Sequence, residues 1–214
     1  MGLFTRAAEP AQPEAAPAGT ISLTKLMRGQ GISLTKTPVL TATVSWPSVT
    51  DYDVYALVRY RNGAQLTVSQ FGTKDAPSQF SPTTPDGAVR HLGDVQRGDG
   101  RLATETIEIR LSPDVLAVVP VAYSAQSNGT GSFRRYRVSM RIDNGAGQAV
   151  EIASENASRD DTVFTCVPGI VLNTDAGVRV EALELYSARG SERRPVVDER
   201  LSVVMDAGPV NAYK

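Results

Sequence analysis

Between Leu40 and Trp46 the chain alternates without a break: Leu40, Ala42, Val44 and Trp46 are apolar, Thr41, Thr43 and Ser45 polar. A strand sends successive side chains to opposite faces, whereas about 3.6 residues per helical turn would scatter those four apolar groups around the axis. The segment therefore reads as a strand with one buried and one wet face. The same period returns at Ile107, Ile109 and Leu111, opposed by Thr106, Glu108 and Arg110. It returns again at Tyr136, Val138, Met140 and Ile142, opposed by Arg135, Arg137, Ser139 and Arg141.

Turn signals separate these runs. Arg61-Asn62-Gly63 divides DYDVYALVRY from AQLTVSQF, and an Asn-Gly step accepts the positive φ of a tight turn, so residues 52 to 71 are expected to form a hairpin. TVFTCVPGIVL and VRVEALELYS, joined through Asn173 to Gly177, predict a second. The apolar run from Val115 to Tyr123 suits a strand covered on both faces, with Pro120 marking a bulge or an edge. Short strands divided by turn-rich loops predict an all-β fold, a β-sandwich of two mainly antiparallel sheets. One or two short helices are expected with it, after Pro113 or within SENASRDD at 154 to 161.

The segment AAEPAQPEAAPAG at 7 to 19 has three prolines and no apolar periodicity, the composition of an extended tether. Residues 1–19 are thus read as a disordered arm, 20–190 as the sandwich domain, and 191–214 as a C-terminal tail or docking strand. ISLTK occurs at Ile21 to Lys25 and again at Ile32 to Lys36, which predicts a duplicated edge strand folded back on itself.

Several function classes recede on composition. With 22 Lys+Arg against 23 Asp+Glu, the overall balance calls for neither nucleic acid nor an anionic membrane. No apolar run approaches the ~18 residues of a membrane span, and the N-terminus lacks an apolar signal core, so a cytoplasmic protein is expected. In that compartment Asn128-Gly129-Thr130, Asn156-Ala157-Ser158 and Arg97-Gly98-Asp99 carry no glycosylation or adhesion meaning. Cys166 is the sole cysteine and His91 the sole histidine, which disfavours disulfides, thiolate zinc sites and most histidine-dependent catalysis. No P-loop or dinucleotide fingerprint is present, and the chain is read as a non-enzyme.

The motifs that remain have ordinary readings beside the chemical ones. Arg135, Arg137 and Arg141 share one face of an expected strand, which suits phosphate or RNA but more simply a solvated face paired with acids. Ser127 to Ser132 has the small residues of a phosphate loop without its lysine or helix. Arg159-Asp160-Asp161 reads as a turn, and Trp46, Tyr55 and Tyr60 as a contact patch or as plugs at strand ends. His91 is expected to hold a loop by hydrogen bonding.

The run GDVQRGDGRLATE from Gly93 to Glu105 punctuates carboxylates with glycines, in the manner of a calcium loop, although arginines sit among them. GISLTK near the start, DYDVYALV, TPDGAVRHLGD ahead of this loop, ETIEIRL after it and DNGAGQAVEI follow one another in order. In that order they resemble the tellurium-resistance TerD-type domains of bacteria, over about residues 20 to 187. The resemblance implies a calcium-binding β-sandwich acting in tellurite and other chemical stress as a scaffold or sensor. Protein partners in a stress-response complex, a position peripheral to the inner membrane face and an oligomer are all compatible with it.

The metal candidates that follow from the resemblance are Asp51, Asp53, Asp86, Asp94, Asp99 and Glu105, with calcium as the ion. Departures from the family pattern weaken the site. Tyr55 stands where a third early acid is usual, and Arg101, Ala103 and Thr104 stand where the loop is usually acidic. From Asp86 to Glu105 four acids face Arg90, Arg97 and Arg101, a net charge of minus one. Glu105 shares the parity of Ile107, so its carboxylate faces inward and needs a partner. A calcium ion, an arginine from the loop, or another cation or solvent each satisfies that need. The alternative function is a metal-independent interaction or oligomerisation module in a stress-signalling complex.

Overall fold

The computed structural model describes residues 21–93, 102–125 and 131–212. The N-terminal arm, the loop positions Asp94, Arg97, Asp99 and Arg101, and the sequon at Asn128 lie outside them.

Two six-stranded sheets face each other. The first runs β1 (Ser22–Leu26), β10 (Gln148–Ala153), β9 (Ser139–Asp143), β3 (Leu40–Trp46), β7 (Ala103–Ile109) and β6 (Val89–His91). The second runs β2 (Gly31–Leu34), β12 (Gly177–Tyr186), β11 (Thr165–Thr174), β8 (Val115–Tyr123), β4 (Asp53–Tyr60) and β5 (Gln65–Val68). A small ribbon of β13 (Val196–Val197) and β14 (Val203–Val204) completes the strands. All pairings are antiparallel except β1 with β10.

The period-two reading of β3 and β7 holds residue by residue. Leu40, Ala42, Val44 and Trp46 are buried while Thr41, Thr43 and Ser45 are half-buried, and β7 alternates in the same way. Both predicted hairpins form: β4 and β5 meet through a turn in which Gly63 takes φ +87°, and β11 pairs with β12. β8 is buried on both faces, as its sequence requires. Pro120 pairs normally toward β4, opposite Ala56, and its missing N–H falls where the β8–β11 register breaks between Cys166 and Val171. Pro168 lies in the same break, so neither proline removes a bond from an intact ladder.

Three expectations are corrected. The two ISLTK copies do not fold back on each other: β1 joins the edge of one sheet beside β10, and β2 the edge of the other beside β12. No helix forms among the described residues. Ser112 to Val115 closes as a turn, and between residues 154 and 162 backbone N–H groups are captured by the side chains of Glu184, Ser158 and Asp160. Those donors are then lost to a helical ladder. The row of arginines around Arg135 is not on a strand, because β9 begins only at Ser139. Phe133 is held 5.2 Å from the Tyr52 ring and 6.1 Å from Tyr186, and residues 133–137 curl into a turn that ends with Arg137 at φ +46°.

The core has two parts. Between the sheets lie Val44, Trp46, Val54, Val58, Ile107, Met140, Ile142, Val171 and their neighbours. On the outer side of the second sheet, Tyr55, Leu57, Val119, Val121, Tyr123, Val167 and Ile170 form another cluster, covered by Val197, Leu201, Val203 and Met205. The segment after residue 190 is thus laid across the sheet. Arg194 fastens it: the guanidinium sits 5.1 Å from the Tyr55 ring centre and 5.3 Å from that of Phe71. It donates to Asn211 Oδ1 at 2.6 Å and to the carbonyls of Phe71 and Gly72.

Candidate functional site

The polar chemistry gathers at one end of the sandwich, where β3, β8, β10 and β12 finish and β4, β7, β9 and β11 begin. Glu105 enters it from β7 and is only 1% exposed. Its Oε2 accepts the backbone N–H of Val54 at 2.8 Å, although Val54 belongs to the opposite sheet. The same oxygen lies 3.2 Å from Nε2 of His91, itself buried on β6. The backbone N–H of Gly93 donates to His91 Nδ1 at 3.1 Å, so Nδ1 bears a lone pair and Nε2 carries the hydrogen that points to the carboxylate. One buried carboxylate therefore joins three elements: β4, β6 and β7.

The early acids stand at the same end of the sandwich, close in sequence to the residue that Glu105 holds. Asp53 opens β4, is 4% exposed and immediately precedes the residue that Glu105 holds; Asp51 is half-buried two positions before it. Ser48, Thr50, Asp51, Asp53 and Glu105 all have further partners. Asp86 lies elsewhere. It accepts from the Tyr60 hydroxyl at 3.0 Å and from the Ala88 N–H at 3.1 Å, and Tyr60 ends the strand that Asp53 begins. At about 3.3 Å per residue those strand ends are roughly 23 Å apart. Partial burial raises the pKa of Asp86, but hydrogen bonds from Thr84, Ala88 and Tyr60 outweigh it and leave the carboxyl below its ordinary value. Asp94 and Asp99 lie outside the described residues.

Calcium takes about six to eight hard oxygens at about 2.3–2.6 Å. Asp51, Asp53 and Glu105 are donors of the right kind. Oε2 of Glu105 is already committed to two protein donors, and the residue has a further partner besides. Among the described residues no three carboxylate, histidine or cysteine groups come together as a metal cluster. The described donors alone are therefore too few for calcium, and a complete shell needs the positions between Gly93 and Leu102.

Parity alone places Glu105 in the interior, whereas its tie to His91 follows only from the pairing of β6 with β7. A signal was available, since an inward carboxylate needs a donor and Val89-Arg90-His91 points its first and third residues one way. Two further buried carboxylates carry no pattern in the sequence that announces them. Glu184, 2% exposed at φ +45°, accepts from the backbone and side chain of Asn156, and Glu192 accepts from Tyr123 and Lys74. Tyr55 and Tyr60 are not a surface patch: both are buried, Tyr55 beneath Arg194 and Tyr60 at the far end of the inter-sheet core.

Cys166 is fully enclosed on β11, and burial pushes its thiol up to about 12 despite a 3.7 Å contact with Ser154 Oγ. Thiolate is the reactive form. The native protein is therefore expected to resist a thiol reagent at pH 8 and to label fully in denaturant. Labelling of the native protein at the unfolded rate, followed by mass spectrometry, would show the thiol to be open.

Fold and rim together define a two-sheet β-sandwich that carries its buried polar network at one loop-bearing end. Several solved structures resemble the chain, two of them as follows. One, SAV2460, is described as a protein of unknown function, at 18% identity and TM-score 0.49, covering 72% of this chain and 91% of that one. The other is a homologue of the telluride resistance protein TerD, SCO6318 from Streptomyces coelicolor A3(2), at 17% identity and TM-score 0.48, covering 80% and 99%. At that level nothing about ligand or activity carries over. No protein-family model matches the chain, and no curated protein matches it. Among the described residues no helix is long and apolar enough to cross a membrane.

Proposed function

We propose that this chain is a non-enzymatic TerD-type binding protein of a bacterial stress response. In this reading the rim of Asp51, Asp53 and Glu105, with Asp94 and Asp99 of the adjoining loop, takes calcium weakly, and loading stiffens a surface that protein partners recognise. The family assignment rests on the ordered motifs from GISLTK to DNGAGQAVEI. The observation that carries the rim is the 2.8 Å bond from Val54 N–H to Glu105 Oε2, because it brings the early acidic turn and the start of β7 to one place. Calorimetric titration of metal-free protein is expected to show calcium uptake with a Kd of about 10⁻⁴ to 10⁻³ M, the weak end of calcium sites. A flat trace at millimolar calcium removes the cation from the proposal.

A second reading has its own support. Val54 and His91 already tie the rim together through Glu105 with no ion, as a metal-independent interaction module requires. Deleting residues 1–19 separates the two: partner capture lost with calcium response intact favours the second.

A further inference from the structure

The turn after β8 gathers charge of the opposite sign at the same end of the fold. Gly131 starts it, its N–H donating to the Asp161 carbonyl at 3.0 Å; a Cβ there would stand 2.1 Å from the carbonyl oxygen of Val163. Phe133, pinned among aromatic rings, draws the turn inward, while Arg134, Arg135 and Arg137 stay exposed. With Ser132, Arg159 and Asp161 they line a depression of about 560 Å³. A second depression of about 500 Å³ shares Arg134 and Arg137 and continues to Ser154, Glu155 and Asn156.

Single arginines such as Arg90 also have no carboxylate partner among the described residues, but here four gather around one depression, and two features bear on what they do. Arg110, Arg141, Arg179 and Arg189 each pair with a carboxylate, whereas among the described residues Arg134, Arg135, Arg137 and Arg159 do not. Ser132 is 1% exposed, lines the arginine-walled depression, and has a buried hydroxyl with no hydrogen-bond partner among the described residues. Ser112, Ser124 and Thr165 also carry such hydroxyls, but the one on Ser132 lies among arginines; a buried hydroxyl left alone is costly, and a ligand oxygen satisfies it. Arg137 is held at φ +46°, a conformation that non-glycine residues adopt at a cost and that recurs at ligand sites.

We infer that this depression binds a small phosphate-bearing ligand. Planar guanidinium forks match phosphate oxygens in pairs, and the Ser132 hydroxyl supplies a neutral donor at the floor. The size of the ligand follows from what surrounds the arginines. Glu155 and Asp161 border the cluster and the chain carries a net charge of −1, so the positive field is a pocket and not a track. A nucleic-acid strand is held by a basic stripe along a face, whereas a compact di- or triphosphate fits a depression of this size. The site is independent of the cation proposed at the rim.

Inorganic pyrophosphate titrated into the full-length protein by calorimetry is the direct probe. Saturable binding is expected, with Kd raised at least tenfold in Arg134→Gln and Arg159→Gln, raised about threefold in Ser132→Ala, and unchanged in Arg90→Gln, an exposed arginine beside His91. Each arginine is on the surface, so circular dichroism should show all variants folded. No heat at 10 mM pyrophosphate overturns the inference, as does equal weakening by Arg90→Gln. A single-stranded oligonucleotide that binds more tightly than pyrophosphate and is lost in the same variants replaces it with a nucleic-acid surface.

Discussion

A chain ending at Gly190 is expected not to fold. The missing segment supplies Val197, Leu201, Val203 and Met205, which lie against Tyr55, Leu57, Val119, Val121 and Ile170 on the outer face of the second sheet. Fully burying a large apolar side chain contributes about 1.5–3 kcal/mol; with Val197 buried and the other three half-buried, stripping all four costs about 4–8 kcal/mol. A domain of this kind has about 5–15 kcal/mol in total. The truncated protein should therefore aggregate or bind a hydrophobic dye, and lose its cooperative urea transition. Arg194→Ala in the full chain tests the fastening alone. It removes donors to Asn211 and to two carbonyls, together with two ring contacts, and should lower stability by about 3 kcal/mol while the fold survives. A truncated chain that unfolds cooperatively at the full-length midpoint would mean that this segment is an appendage.

How far the sequence could be read depended on the range of the interaction. Alternation is local, so β3, β7, the two hairpins and the doubly buried β8 were legible, as was the inward carboxylate at Glu105. Edge placement is not local: the two ISLTK copies carry the same pattern, and their division between sheets is decided by β10 and β12, more than a hundred residues away. The row at Arg135 failed for a related reason. Its alternation fits a strand, but Phe133 is worth more against Tyr52 and Tyr186 than as the start of a longer β9, and the chain curls to place it there. In the C-terminal segment the apolar residues are spaced to cover a face already built by β4, β8 and β11, so no period of their own announces them. The inward Glu105 was legible from parity; the use of His91 to orient it required the register of β6 against β7, where His91 stands opposite Ile107.

Glu105 separates the structural role of the rim from a binding one. In Glu105→Ala the Val54 N–H and the His91 Nε2–H both lose their acceptor inside a site from which water is excluded. Each orphaned donor costs about 1–3 kcal/mol, so the two together cost about 2–6 kcal/mol. Urea unfolding should report a loss in that range. Glu105→Gln keeps an acceptor oxygen of the same reach, so its metal-free stability should fall within about 1.5 kcal/mol of the native protein. The amide has no charge to offer a cation, so calcium-dependent stabilisation should vanish in this variant while the fold stays intact. Asp53→Asn, at the mouth of the same rim, should behave likewise. If Glu105→Gln responds to calcium as the native protein does, the carboxylate is there to join the two sheets, and any ion bound at this end must be held by other groups.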